Sequence, residues 1–170
     1  RDQPRSRRAR AAVEAGLTDW LADISAPPSP ETAAFNAALE ARLAELPATH
    51  EVPPHVTRAA RAEGRGVFPP GGPLASARWM QAPTYPGRVR VSLPDGPPRG
   101  VFMHVHGGGW TLGAPEQFDL WCGRLARAAG VAVVSVPYRL APEHPWPACA
   151  DDVEAAAVWL AREAGALFGG

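Results

Sequence analysis

A chain of 170 residues with 46% hydrophobic and 20% charged residues is long enough for one folded domain with a real core. Its 17 basic and 17 acidic residues cancel, so no net field draws it to nucleic acid or to an anionic membrane. No apolar run approaches the ~18 residues of a membrane span.

Every basic residue is an arginine. With 20 prolines and abundant alanine, that reads as GC-rich coding rather than as a phosphate-binding adaptation. The start, with Arg1, Arg5, Arg7, Arg8 and Arg10, leads into Val13-Glu14-Ala15-Gly16-Leu17. Glu14 and Asp19 interrupt it, so it is no secretory signal core. The first residue is Arg1 rather than Met, which leaves the start of the protein open. Cys122 and Cys149 fit no metal or redox spacing, and a reduced, cytoplasmic setting is expected.

In chain order, Val13, Leu17, Trp20, Leu21 and Ile24 share one face of a first predicted helix. Phe35, Leu39, Leu43 and Leu46 share a face of a second, opened by Ser29 as N-cap, Pro30 at the first helical position and acidic Glu31. Residues 47–73 are rich in proline and glycine and read as a connector with little regular structure. Residues 1–73 are thus taken as a helical segment with its connector, and 74–170 as an α/β core.

The period then changes. Ser76–Ala82 is a candidate strand and Pro83–Gly87 a turn. Arg88–Leu93 alternates Val89, Val91 and Leu93 with polar residues, which suits a strand near a sheet edge with one wet face. Pro94–Pro98 is a turn, and Val101–His106 is an apolar strand. Phe118, Trp121, Cys122, Leu125 and Ala129 mark an amphipathic helix ending at Gly130. Val131–Val136 reads as a strand covered on both faces. A rigid loop, Pro137–Pro147, precedes a last helix over Ala148–Ala164, whose first turns carry Asp151, Asp152 and Glu154. Alternating strands and helices predict an α/β fold with a mostly parallel sheet, whose ligand sites lie at the carboxyl ends of strands.

One such end carries His106-Gly107-Gly108-Gly109-Trp110. Consecutive glycines bring bare amides close to a ligand, and amides aimed at one point stabilise developing negative charge. A dinucleotide fingerprint on Gly107 and Gly109 would need a small residue where Leu112 stands, and an acid at the end of the next strand, where Pro137, Tyr138 and Arg139 stand. A phosphate-binding Walker loop needs a lysine, and the chain has none. A merely structural turn remains the plain alternative. His104, inside a strand, reads as a satisfied structural histidine.

The glycine motif together with Tyr138-Arg139-Leu140-Ala141-Pro142-Glu143-His144-Pro145-Trp146-Pro147-Ala148 resembles the hormone-sensitive-lipase-like esterases of the α/β-hydrolase fold. The resemblance covers roughly residues 76–170, with the two leading helices in the place of that family's variable N-terminal cap. It implies an oxyanion hole at the Gly107–Gly109 loop, with Gly108 and Gly109 as the facing amides and Gly107 serving the turn. His106 orients the loop or touches substrate, and Trp110 lines an acyl pocket or packs in the core. Tyr138-Arg139 and Glu143-His144 belong to a loop packed beneath the site, into which Asp151 or Asp152 could hydrogen-bond. A small ester is the implied partner, without metal or organic cofactor.

The family's nucleophile is a serine in G-x-S-x-G, followed in chain order by an acid and a histidine. None of Ser6, Ser25, Ser29, Ser76, Ser92 and Ser135 sits in that frame. His104, His106, His144, Asp151 and Asp152 come too early for the remaining roles. The expectation is an N-terminal half of a hydrolase that needs the missing C-terminal half, with an apolar edge left open at Val131–Val136. Two other readings stay open: a non-catalytic small-molecule-binding module, as in the gibberellin receptors that resemble this family, and a truncated inactive product.

Overall fold

The computed structural model of the protein describes residues 27–68, 70–82 and 87–169. They fall into two compact units, which divide after Leu46. In the first unit, helix α1 (Pro30–Ala44) starts as its sequence dictates. The hydroxyl oxygen of Ser29 accepts from the Thr32 amide at 3.2 Å, with Pro30 at the first helical position. Phe35 and Leu43 on its apolar side are exposed. The helix expected over residues 13–24 lies outside the described residues, as does most of the expected turn at Pro83–Gly87.

The second unit corrects the connector. Helix α2 (Pro54–Ala62) occupies its middle. Pro54 is a breaker only inside a helix; at the first position its missing N–H is an orphan anyway, and Arg58, Ala59, Ala60, Arg61 and Ala62 are good helix formers.

Four strands follow: β1 (Ala77–Gln81), β2 (Arg88–Ser92), β3 (Val101–Val105) and β4 (Ala132–Val136). Their order is β1-β2-β4-β3. The β1–β2 and β2–β4 pairings are antiparallel, and β3 runs parallel to β4 with Val101 opposite Ala132 and Val105 opposite Val136. The sheet is therefore mixed, with its parallel part confined to β3 and β4. Between them the chain passes through a 3₁₀ turn (Pro115–Phe118) and helix α3 (Asp119–Ala129), which Gly130 ends at φ 63°. Helix α4 (Ala148–Phe168) runs past the predicted stop at Ala164, because Ala164, Leu167 and Phe168 pack onto the core.

The core has one part on each face of the sheet. Val89, Val91, Val134 and Val136 meet Ala156, Trp159 and Leu160 of α4, while Val133 meets Cys122 and Ala126 of α3. β4, predicted to be covered on both faces, is buried along its whole length.

Two strand expectations need correcting. β2 is an interior strand, and Val89, Arg90, Val91 and Ser92 are all buried. Its polar alternation marks a covered face, where Arg90 pairs with Asp119 of α3. The open edge near the predicted site belongs to β3, not to Val131–Val136, because β4 is flanked by β2 and β3. Along that edge Phe102 and Val105 are exposed.

Candidate active site

The glycine loop leaves β3 at its carboxyl end, where an α/β sheet presents ligand sites. Its first residue, His106, is 4% exposed. The imidazole stacks on the Tyr138 ring at 4.2 Å between centroids and 15° between planes, with Phe118 farther off at 6.3 Å. Nδ1 of His106 lies 3.0 Å from the Gly107 carbonyl oxygen, which can only accept, so Nδ1 carries the proton. The Tyr138 hydroxyl donates to the His106 carbonyl at 2.7 Å. These contacts hold the root of the loop from beneath.

The turn is built on Gly108 rather than Gly107. The Gly108 carbonyl accepts from the Leu112 amide at 2.8 Å and from Thr111 at 3.2 Å. Gly108 has φ 136°, and a Cβ there would run into the Leu112 carbonyl. Gly109 and Trp110 follow in left-handed conformation, at φ 60° and 58°. Trp110 is the one non-glycine residue with positive φ among the described residues, in a conformation that costs L residues roughly 1–2 kcal/mol. Its carbonyl accepts from the Ala141 amide at 2.9 Å, which ties the loop to the Tyr138–Ala148 segment. The amides of Gly107, Gly108 and Gly109 have no acceptor among the described residues. A Cβ at Gly107 or Gly109 would meet nothing within 4 Å, so both positions border open space.

Beside the loop lies an apolar groove of about 170 Å³, lined by Val105, Trp110, Tyr138, Trp146, Cys149 and Val153. Trp110 and Trp146 are 65% and 74% exposed at its mouth. Of the residues assigned to substrate from sequence, Trp110 borders this groove and His106 lies buried under the loop. Asp152 reaches the Tyr138–Ala148 segment, accepting from the Arg139 amide at 2.8 Å and pairing with its guanidinium. Burial raises the Asp152 carboxyl, but its bonds to Arg139 outweigh this and hold it below the usual carboxylate range. Arg58 was not singled out from the sequence, yet it reaches the Thr111 carbonyl at 2.7 Å. The proline-rich composition around it masked the helix that delivers it.

His104 is the satisfied structural histidine expected from its place in β3. Its Nδ1 lies 2.7 Å from the hydroxyl of Ser135, its register partner on β4, and its ring packs against Phe118 and Trp121. Burial pushes the imidazoles of His104 and His106 below their ordinary value. Folding therefore keeps both rings neutral where the unfolded chain already binds protons. The stability tied to that neutrality is complete above the ordinary value of 6.5 and is lost as pH falls below it. Melting followed from about pH 7.5 down to about pH 5.5 should show a falling Tm, and a shallower fall in His104→Gln. A wild-type Tm that stays level or rises over that interval would contradict the assignment.

Among the described residues no helix is long and apolar enough to cross a membrane, and no group of three or more His, Cys, Asp and Glu is gathered for a metal. Compared with known proteins, residues 102–169 match the family described as alpha/beta hydrolase fold. The carboxylic ester hydrolase LipN of Mycobacterium tuberculosis is 50% identical over 69 residues, which is 41% of this chain and 18% of that protein. The carboxylesterase NlhH of the same species is 45% identical over 85 residues, or 50% of this chain and 25% of that protein. Among solved structures, an ester hydrolase from the metagenome of Lake Arreo superposes with a TM-score of 0.66 at 29% identity, covering 85% of this chain and 48% of that one. The chain thus spans less than half the length of these relatives.

Proposed function

We propose that this chain, which carries the N-terminal part of the α/β-hydrolase fold as found in the hormone-sensitive-lipase-like esterases, supplies the oxyanion loop of a serine carboxylesterase. The observation that carries this is the run of uncommitted amides at Gly107–Gly109, bordering open space at the end of β3 beside an apolar groove. A short or medium acyl chain suits that groove, with Trp110 and Val105 as its walls.

In this reading the triad serine, acid and histidine come from outside residues 1–170. The serine attacks the ester carbonyl, and the carbonyl oxygen gains negative charge as the tetrahedral intermediate forms. Gly108 and Gly109 donate their amides to that oxygen, each worth about 2.7–4 kcal/mol of barrier lowering where such donors have been removed. His106 holds the loop from beneath through its bond to the Gly107 carbonyl. The chemistry uses no metal or organic cofactor. A cytoplasmic setting belongs to the same reading, supported by two buried free thiols.

The test joins this chain to the nucleophile-bearing half of a relative such as the Lake Arreo ester hydrolase. The 170 residues alone are expected neither to hydrolyse p-nitrophenyl butyrate nor to react with a fluorophosphonate probe, and the joined protein to do both. Robust labelling of the lone chain, or a folded joined protein that labels at its serine without turnover, would sink the proposal. The latter outcome would favour a ligand-binding module.

A further inference from the structure

The guanidinium of Arg58, in α2, makes four hydrogen bonds to two separate loops. Nε donates to the Thr111 carbonyl at 2.7 Å, at the end of the glycine loop. Nη2 donates to the Ala141 carbonyl at 2.5 Å and to Glu143 Oε2 at 3.0 Å, and Nη1 donates to Glu143 Oε1 at 2.8 Å. The two loops already meet through the Ala141 amide and the Trp110 carbonyl. Arg58 closes the other side of that junction.

We propose that Arg58 is a positioning residue for the glycine loop, and that α2 is a brace of the oxyanion site rather than part of a spacer. The proposal rests on the esterase reading only for its effect on turnover; the bracing itself does not.

Magnitudes indicate which of the four bonds matter. The Glu143 side chain is 49% exposed, and ion pairs so open to solvent contribute little. The bonds to the Thr111 and Ala141 carbonyls are part-buried and charge-assisted, and such bonds are roughly twice as strong as neutral ones. Glu143 orients the planar fork so that its remaining donors meet both carbonyls at once. A lysine ammonium, a single point on a flexible stem, cannot reproduce that fork. The loop it restrains holds Gly108, Gly109 and Trp110 at positive φ. A loop in that state needs external restraint, since each such residue that is not glycine favours escape to negative φ.

Two amides report on the brace directly: Leu112, bonded to the Gly108 carbonyl, and Ala141, bonded to the Trp110 carbonyl. Hydrogen exchange on the full chain is expected to speed up at both by about tenfold or more in Arg58→Ala, with β4 amides such as Val134 unchanged. Arg58→Lys should behave almost like Arg58→Ala, and Glu143→Gln should give a smaller acceleration at the same two sites. Unchanged exchange at Leu112 and Ala141 in Arg58→Ala, or equal acceleration in β4, would overturn the proposal. Glu143→Gln keeps the test alive should Arg58→Ala fail to fold, since acceleration at the two amides would support the brace and none would refute it. In the joined protein, Arg58→Ala should lower kcat about tenfold or more while KM stays within about twofold, because small misplacements of catalytic groups are costly. An inactive joined protein whose exchange still responds to Arg58 would reject the esterase reading and keep the brace.

Discussion

Asp119→Ala is expected to destabilise the unit formed by residues 47–170 by about 3–5 kcal/mol, the cost of leaving one buried charge without its partner. Asp119 is 1% exposed and Arg90 is 7% exposed. Arg90 meets the carboxylate with both Nε and Nη2, at 3.0 and 2.5 Å. The same carboxylate accepts from the Leu74 amide at 2.8 Å, and Arg90 donates to the Leu74 carbonyl at 3.2 Å. The Asp119 bond raises the Arg90 guanidinium above its ordinary value, against the opposing effect of burial.

The pair therefore fastens three things: β2, the first turn of α3 and the Gly71–Leu74 segment, which is also held by the Leu120 amide bonded to the Gly71 carbonyl at 2.8 Å. Removing Asp119 leaves a guanidinium in the sheet–helix layer and strips the Leu74 amide of its acceptor. Arg90→Met combined with Asp119→Leu should recover only part of the loss, since apolar groups of similar size need no partner but the Leu74 amide stays without its acceptor. Urea midpoints for the single and double variants would check this. A single variant within about 1 kcal/mol of wild type would show that the pair is not the fastening described.

Gly108→Ala is expected to reduce kcat of the joined protein by about 10²–10³, the usual cost of losing an oxyanion donor. At φ 136° an L side chain is strained, and the added Cβ would overlap the Leu112 carbonyl. The loop can relieve that clash only by breaking the turn that orients the Gly108 and Gly109 amides. Such backbone strain is of order 1–3 kcal/mol, small enough for the rest of the fold to survive it. Gly96→Ala, in an exposed turn with nothing within 4 Å of the new methyl, serves as the control for a harmless glycine substitution. Circular dichroism should be native in both, with turnover lost only at Gly108. Retained turnover in Gly108→Ala would show that this conformation is not what the chemistry needs.

Much of the scaffold is legible in the sequence alone. The valine run of β4 announced burial on both faces, and Gly130 announced the end of α3, because both are local statements about periodicity and backbone freedom. The glycine motif announced a loop with free amides for the same reason. The errors cluster where a local pattern has two tertiary meanings. Arg88, Arg90 and Ser92 alternate with valines as they would on a solvated face, yet Arg90 and Ser92 are covered by the α3 side of the fold. A buried arginine looks polar in sequence and gives no sign of the carboxylate that neutralises it 29 residues away. The proline- and glycine-rich composition of residues 47–73 reads as a connector, although Pro54 opens a helix there. Gly107 looked like the turn glycine, but the turn closes on Gly108 because that is where Leu112 folds back.

By itself the sequence determined the strand and helix segments of the core, the exposed-amide loop after β3, and the absence from residues 1–170 of a serine in the G-x-S-x-G frame. Hydrophobic period and glycine placement act within a few residues, so a single chain displays them openly. Only the tertiary structure decided that β4 lies between β2 and β3, that β3 is the open edge, and that Arg58 reaches the glycine loop from 53 residues upstream. Those facts depend on which surfaces meet. A period records that a face is buried, whereas the partner that covers it is chosen by packing and by the pairing of buried charge.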